Sequence, residues 1–166
     1  MPEKFNIVRQ CRHGLMVFNR HDQFIGKALK VYGEYSEGEY DVFSQVVKPG
    51  DTVIEAGANL GAHTLGLAQL AGPNGRVYAF EPQRLMFQTL LGNAALNSLT
   101  NIYGFQKALS MLQLEVVIMI ICLRPETNLL HDHFHRFRFL LFLTLFLLIE
   151  EFLVVDYSTN GGRSIW

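Results

Sequence analysis

Two glycines and two acidic residues in this sequence are spaced so that they could form a ligand site. Glu55 precedes Gly57 by two positions, Gly61 follows four positions later, and Glu81 lies twenty positions beyond Gly61. Glycine permits the backbone angles and close approach of a tight turn, and a carboxylate accepts hydrogen bonds or attracts a cation. The pattern indicates a turn that holds a ligand between two acids.

The neighbouring residues predict the elements that position these side chains. Residues 52–56 predict a buried strand and residues 57–61 a glycine turn, and a helix is expected to begin near Ala62. Residues 76–80 predict a second strand, which ends in Glu81. Together they form one βαβ unit, whose ligand site lies at the carboxyl ends of its strands.

The turn departs from the dinucleotide fingerprint G-x-G-x-x-G, because Asn59 stands where the middle glycine would be. Glu55 would also repel a phosphate, which disfavours an NAD-dependent oxidoreductase. S-adenosylmethionine carries a sulfonium, an ammonium and a ribose but no phosphate, so it fits the two acids better. Glu81 is expected to bind the ribose hydroxyls, while His63 either contacts the methionine end or only occupies the helix start. The alternative is an α/β domain without a ligand.

Three segments resemble the FkbM family of S-adenosylmethionine-dependent methyltransferases: residues 53–64, 75–82 and 91–97, with residues 32–39 upstream also similar. The resemblance covers roughly residues 18–110 of the 166. It implies a Rossmann-like methyltransferase fold and methyl transfer, usually to an oxygen. The cofactor-binding residues predicted from the sequence are Glu55, Gly57, Ala58, Asn59, Gly61 and His63 for the methionine side and Glu81 for the ribose.

The expected function is therefore O-methylation of a small hydroxylated or glycosyl acceptor, with S-adenosylmethionine as cofactor. The alternative is a non-catalytic, cofactor-binding remnant of such an enzyme. Methyl transfer to an oxygen usually needs a general base, and the sequence identifies none. The family's Lys-x-Asp-x-Glu-Gly type motif, expected near the substrate, has no match after Ser110.

Residues 1–35 are predicted to form an N-terminal hairpin or cap, with a hairpin over Leu15–Leu29 in which Phe24 and Ile25 are extended. The core, residues 36–110, is expected to begin with a capping box between Ser36 and Glu39. Pro82 is expected in the first turn of the helix that follows the second strand. A third strand is expected over residues 102–109. The fold class predicted is α/β, an incomplete Rossmann-like methyltransferase sheet.

The composition changes after Ser110. Residues 111–166 contain neither alanine nor lysine, and the first 110 residues hold 12 of the 14 glycines. We interpret this atypical apolar segment as a foreign end created by a frameshift, a misannotated exon or truncation. Within it, residues 116–123 predict a buried strand or a short helix. Membrane association through residues 137–149 and an aggregation-prone tail are alternative interpretations of its most apolar part.

The overall charge and the cysteines limit the partners. A formal net charge of −1 indicates neither a nucleic-acid partner nor electrostatic membrane binding. Cys11 and Cys122 lack metal-type spacing and fit a reducing compartment, so the expected localisation is cytoplasmic. The alternating histidines of residues 131–135 are a weak metal signal, and no metal site is predicted. The partner expected is a small-molecule methyl acceptor.

Overall fold

The protein is an α/β chain, described here from a computed structural model that covers residues 4–111, 119–123, 138–140 and 152–155, with side chains up to Leu109. Its elements follow in chain order: β1 Asn6–Cys11, β2 Gly14–Asn19, α1 Ile25–Val31, α2 Glu37–Val46, β3 Thr52–Ala56, α3 Thr64–Ala71, β4 Arg76–Phe80, α4 Arg84–Leu96, β5 Ile102–Phe105, β6 Ala108–Met111, β7 Met119–Leu123, β8 Arg138–Leu140 and β9 Phe152–Val155.

The main sheet has the strand order β5-β4-β3-β7-β8. Strands β3, β4 and β5 are parallel, as a βαβαβ segment requires. Strand β7 pairs with β3 in the antiparallel direction, and β8 pairs with β7 in the same way. The parallel half confirms the predicted α/β fold class, and its carboxyl edge is where a ligand site is expected.

The sheet is covered on one face by helices. Val53 and Val77 point into a core that α2 and α3 complete, and Ala79 packs against Leu90 of α4. These four sheet and helix side chains are fully buried. The strands of a parallel sheet have apolar sequences because helices bury them. This packing holds in place the carboxyl ends of β3 and β4, where a ligand site is expected.

The N-terminal hairpin is real, but it lies earlier than predicted. It consists of β1 and β2 in antiparallel register, from Asn6 opposite Asn19 to Cys11 opposite Gly14. The expectation of an extended segment at Phe24 and Ile25 is wrong, because α1 begins there. The physical cause is the Asp22 carboxylate, which accepts hydrogen bonds from the N–H groups of Phe24 and Gly26 at 2.8 and 2.9 Å and so caps the first turn.

The predicted capping box at the start of α2 is also wrong, although a helix does begin at Glu37. Ser36 has a φ of 52° and makes no side-chain capping bond. Instead its carbonyl accepts the N–H of Glu39 at 2.9 Å. Glu37 accepts from His13 at 2.9 Å, so one acid of this first turn binds the N-terminal hairpin rather than its own helix.

The third predicted strand is divided. Residues 102–105 form β5 in the main sheet, whereas residues 108–111 form β6, which pairs with β9 in a separate two-stranded sheet. A tight bend separates them, in which the N–H of Lys107 donates to the carbonyl of Phe105 at 2.8 Å. The bend turns the chain away from the main sheet, so Ala108 and Leu109 reach the region above the strand ends.

Two helix starts differ by about two residues from expectation. Helix α3 begins at Thr64 rather than near Ala62, because the turn is longer than predicted. Helix α4 begins at Arg84 with Gln83 as its N-cap, so Pro82 lies before the helix and not in its first turn. Such boundary shifts are ordinary for sequence patterns, which define helix ends poorly.

Several predictions for the C-terminal segment lie outside the described residues, among them the histidines at 131–135 and the foreign-end interpretation. The apolar run at 116–123 does contain a strand, β7. Of residues 137–149 the structure describes only β8. In the described ranges no helix has the length and apolar character needed to cross a bilayer.

The hairpin is predicted to be part of the hydrophobic core rather than an appendage. Phe18 is fully buried, whereas Val8 on the paired strand is 59% exposed. Replacing Phe18 with Ala should lower the free energy of unfolding by about 3–5 kcal/mol, and Val8→Ala should change it by less than about 0.5 kcal/mol. Urea denaturation measures both, and equal small losses would show that the hairpin is not integrated.

Candidate ligand-binding site

A cavity of about 410 Å³ opens above the carboxyl ends of β3 and β4. This volume lies in the range of small-molecule sites. Six of the seven site residues predicted from the sequence line it, and Gly61 does not. The residues that line the cavity are Phe24, Ile25, Tyr35, Glu55, Gly57, Ala58, Asn59, Ala62, His63, Glu81, Pro82, Gln83, Ala108 and Leu109.

The glycine turn is built from alternating residues with positive φ. These angles are 76° at Gly57, 52° at Asn59 and 90° at Gly61. Asparagine is among the few non-glycine residues that adopt this conformation readily. Gly61 is needed for packing rather than for lining, because a Cβ there would lie 2.8 Å from Cδ1 of Leu90 on α4.

Every backbone N–H of the turn is already used within the protein. Those of Gly57 and Ala58 both donate to the carbonyl of Phe80, at 2.9 and 3.0 Å. The N–H of Leu60 donates to Oδ1 of Asn59 at 2.8 Å. The remaining two, at positions 59 and 61, donate to the Glu81 carboxylate and to the carbonyl of residue 58.

The use of these N–H groups within the protein limits the kind of ligand that the turn can bind. A phosphate-binding loop works by pointing unused backbone N–H groups at the anion. Here the N–H groups of residues 57–61 have internal acceptors, so the turn does not offer that cradle. The geometry agrees with the sequence-based argument against a dinucleotide and supplies a reason for it that the sequence did not contain.

Glu81 is held firmly at the end of β4 and is 3% exposed. Its Oε2 accepts the N–H of Asn59 at 2.8 Å, and its Oε1 accepts the N–H of Gln83 at 2.8 Å. Each carboxylate oxygen has a further lone pair, so both can accept a hydroxyl from the cavity. The backbone bonds fix the orientation of the carboxylate before any ligand arrives.

Glu55 is the second acid of the cavity and is 2% exposed. Burial raises its pKa to about 8; the hydrogen bond from Thr64 Oγ1, 2.7 Å from Oε2, opposes the shift, while the nearby Glu81 charge adds to it. Glu55 is therefore largely protonated at neutral pH. The expectation that an anionic Glu55 repels a phosphate is therefore corrected at this position.

His63 forms part of the cavity wall at the N-cap of α3. Its ring lies between Tyr35 and Phe43, with centroid separations of 5.5 and 5.4 Å. Its Nε2 is buried and is 3.5 Å from Oε2 of Glu39, a separation that is close enough for an ion pair but makes no hydrogen bond. Burial lowers the His63 pKa, so the imidazole is neutral at pH 7.

The sequence did not indicate the wall opposite the turn. Phe24, Ile25 and Tyr35 come from the α1 region and the segment after it, and Leu109 comes from β6. Phe24 is 82% exposed at the N-cap of α1. The sequence signal closest to this wall was the hairpin or cap expected over residues 1–35.

Comparison with known proteins finds no matching family model and no matching curated protein. Solved structures are similar over part of the chain. A SAM-dependent methyltransferase from Aquifex aeolicus matches 48% of this chain and 40% of its own (24% identity, TM-score 0.40). M. jannaschii TYW2 in complex with AdoMet matches 63% and 44% (18%, 0.49). A SAM-dependent O-methyltransferase from Thermotoga maritima matches 60% and 40% (19%, 0.43).

The chain thus spans less than half the length of these three structures. Two of them are SAM-dependent methyltransferases and the third holds AdoMet; the likeness of this chain to them is distant and concerns the fold alone. The FkbM resemblance seen in the sequence is not accompanied by a family match. The ligand must therefore be inferred from the chemistry of the cavity.

The raised pKa of Glu55 predicts a pH-dependent stability. Because the folded pKa of about 8 exceeds the ordinary value of 4.5, the folded state holds a proton that the unfolded state releases. Stability should fall as pH rises from about 4.5 to 8, by on the order of 5 kcal/mol. Glu55→Gln should remove this loss and be more stable than the wild type at pH 9.

Urea titrations at pH 5, 7 and 9 measure this effect. At pH 5 the two proteins should be close in stability, since Glu55 is protonated in the folded wild type and the side-chain amide of the variant does not titrate. Parallel pH profiles for the wild type and Glu55→Gln would contradict the assignment of a buried, neutral Glu55.

Proposed function

We propose that the cavity binds S-adenosylmethionine and that the protein is an S-adenosylmethionine-dependent methyltransferase. The observation that carries the proposal is the pairing of two buried acids, Glu55 and Glu81, with a turn whose N–H groups are all used internally. Such a site has no cradle for phosphate but has acceptors for hydroxyls and a carboxyl group for a cation. S-adenosylmethionine is a ligand that meets each of these conditions.

The residues of the chain have separate tasks in this proposal. Glu81, oriented by two backbone N–H groups, accepts the ribose hydroxyls. Glu55 loses its proton and becomes the counter-charge for the cationic end, while Thr64 Oγ1 stabilises the carboxylate formed. Bound S-adenosylmethionine supplies an activated methyl group. The protein's contribution is to position it, which can supply about 7–11 kcal/mol of a barrier.

The finer proposal is an enzyme of the FkbM type that methylates an oxygen of a small hydroxylated or glycosyl acceptor. It is supported by the sequence resemblance and by the wall of Phe24 and Tyr35, which gives the cavity an aromatic side suited to a small organic acceptor. A non-catalytic, cofactor-binding protein is the alternative. The cytoplasmic localisation and the absence of nucleic-acid partners stay predictions from composition.

Calorimetric titration tests the ligand. We expect S-adenosylmethionine to bind and NAD not to bind, because the turn has no phosphate cradle. Glu81→Ala should weaken binding at least tenfold by removing the hydroxyl acceptors, and Glu55→Ala combined with Glu81→Ala should weaken it further. Glu34→Ala is the matched control, since Glu34 is 40% exposed and paired with Arg12. Unchanged affinity in the double variant would refute the proposed site.

Binding should also be linked to proton release. Because the pKa of Glu55 is about 8 in the free protein, a cationic ligand must displace a proton below that pH, and affinity should rise as pH increases from 6 to 8. Calorimetry in two buffers of different ionisation enthalpy counts the protons released. Glu55→Gln should abolish the part of the release that belongs to this group; the same release in both proteins would contradict the role of Glu55.

A methyl-transfer assay on a panel of hydroxylated compounds and glycosides separates the enzyme from the alternative. Formation of a methylated product supports the transferase. Tight S-adenosylmethionine binding without any product across the panel favours the non-catalytic protein.

A further inference from the structure

Two asparagines bind the N-terminal hairpin to α4: Asn93 lies within the helix, and Asn97 is its C-cap. Oδ1 of Asn97 accepts the N–H of Leu15 at 2.8 Å, and its Nδ2 donates to the Leu15 carbonyl at 2.8 Å. One helical turn earlier, Asn93 makes the same pair with Val17, at 2.6 and 3.1 Å. Each side-chain amide therefore reproduces the bonds that a neighbouring strand would make to the free edge of β2.

Asn93 differs from Asn97 in one contact. Its Nδ2 also donates to the carbonyl of Leu60 at 2.8 Å, whereas the second donor bond of Asn97 goes to the Asn93 carbonyl. Leu60 is in the glycine turn, next to Asn59. Asn93 is completely buried, so it connects the hairpin, α4 and the turn through a single amide group.

Apolar packing joins the same elements. Met16 and Phe18 of β2 belong to one buried cluster with Leu60 of the turn and Leu65 of α3. The glycine turn thus packs against the hairpin through Leu60. The hydrogen bond from Asn93 fixes the direction of the Leu60 carbonyl. A buried carbonyl that loses its donor must rotate or remain unpaired, and rotation would disturb the adjoining N–H groups.

We propose that Asn93 is a positioning residue that holds the glycine turn in its ligand-binding shape and couples docking of the N-terminal hairpin to binding in the cavity. The identity of the ligand rests on the proposed function, whereas the coupling rests on the bonds to Val17 and Leu60. Coupling is reciprocal. Ligand binding must therefore also stabilise the hairpin against α4.

The experiment compares Asn93→Leu with Asn97→Leu in the full chain. Both variants lose the amide pair to β2, but only the first loses the bond to the turn. In the ligand-free protein, hydrogen exchange at the N–H groups of residues 59–61 should be about tenfold faster in Asn93→Leu and within about twofold of the wild type in Asn97→Leu. Calorimetry with S-adenosylmethionine should show the same split in Kd, measured where both variants are folded.

A second variant covers the case in which Asn93→Leu does not fold. Asn93→Asp keeps an oxygen for the N–H of Val17 but lacks the amide donor to Leu60, and it should accelerate exchange at residues 59–61 in the same way. In the wild type, S-adenosylmethionine should slow exchange at the N–H groups of Leu15 and Val17.

The outcomes separate this inference from the proposed function. Equal exchange and equal Kd values for the position-93 and position-97 variants would overturn the role of Asn93, even if the ligand binds. An exchange difference at residues 59–61 without any binding of S-adenosylmethionine would support the positioning role and refute the ligand.

Discussion

The site depends on one hydrogen bond, from the backbone N–H of Asn59 to Oε2 of Glu81. It joins the turn after β3 to the end of β4, and so ties together the two strand ends that a ligand must span. It also consumes an N–H group of the turn in which a dinucleotide-binding loop would hold phosphate. The bond therefore fixes the position of the turn relative to the end of β4 and leaves the Asn59 N–H without capacity for a phosphate.

The two buried acids of the cavity differ in the groups that stabilise them. Glu81 is compensated by two backbone N–H donors, which stabilise a carboxylate without any cation. Glu55 has one hydroxyl donor and keeps its proton instead. The two carboxyl groups therefore have different hydrogen-bond partners, two backbone N–H groups for Glu81 and one hydroxyl for Glu55.

The βαβ unit could be predicted from the sequence because its determinants are local. Gly57 and Gly61 define the turn, and the apolar runs around them define the strands, so six of the seven predicted residues do line the cavity. What the sequence could not supply is tertiary. Helix α1 begins where Asp22 caps it, and the free edge of β2 is satisfied by asparagine side chains 76 and 82 positions away.

The proposed ligand binding and the proposed methyl transfer place different demands on this chain. The described residues that line the cavity lie between Phe24 and Leu109, within the hairpin and cap region, the parallel half of the sheet and the start of β6. They include the two buried carboxyl groups of Glu55 and Glu81, positioned by elements that pack together. Transfer to an oxygen additionally requires a place for the acceptor and for its proton. Among the described cavity residues, His63 has a neutral imidazole whose buried Nε2 has no hydrogen-bond partner.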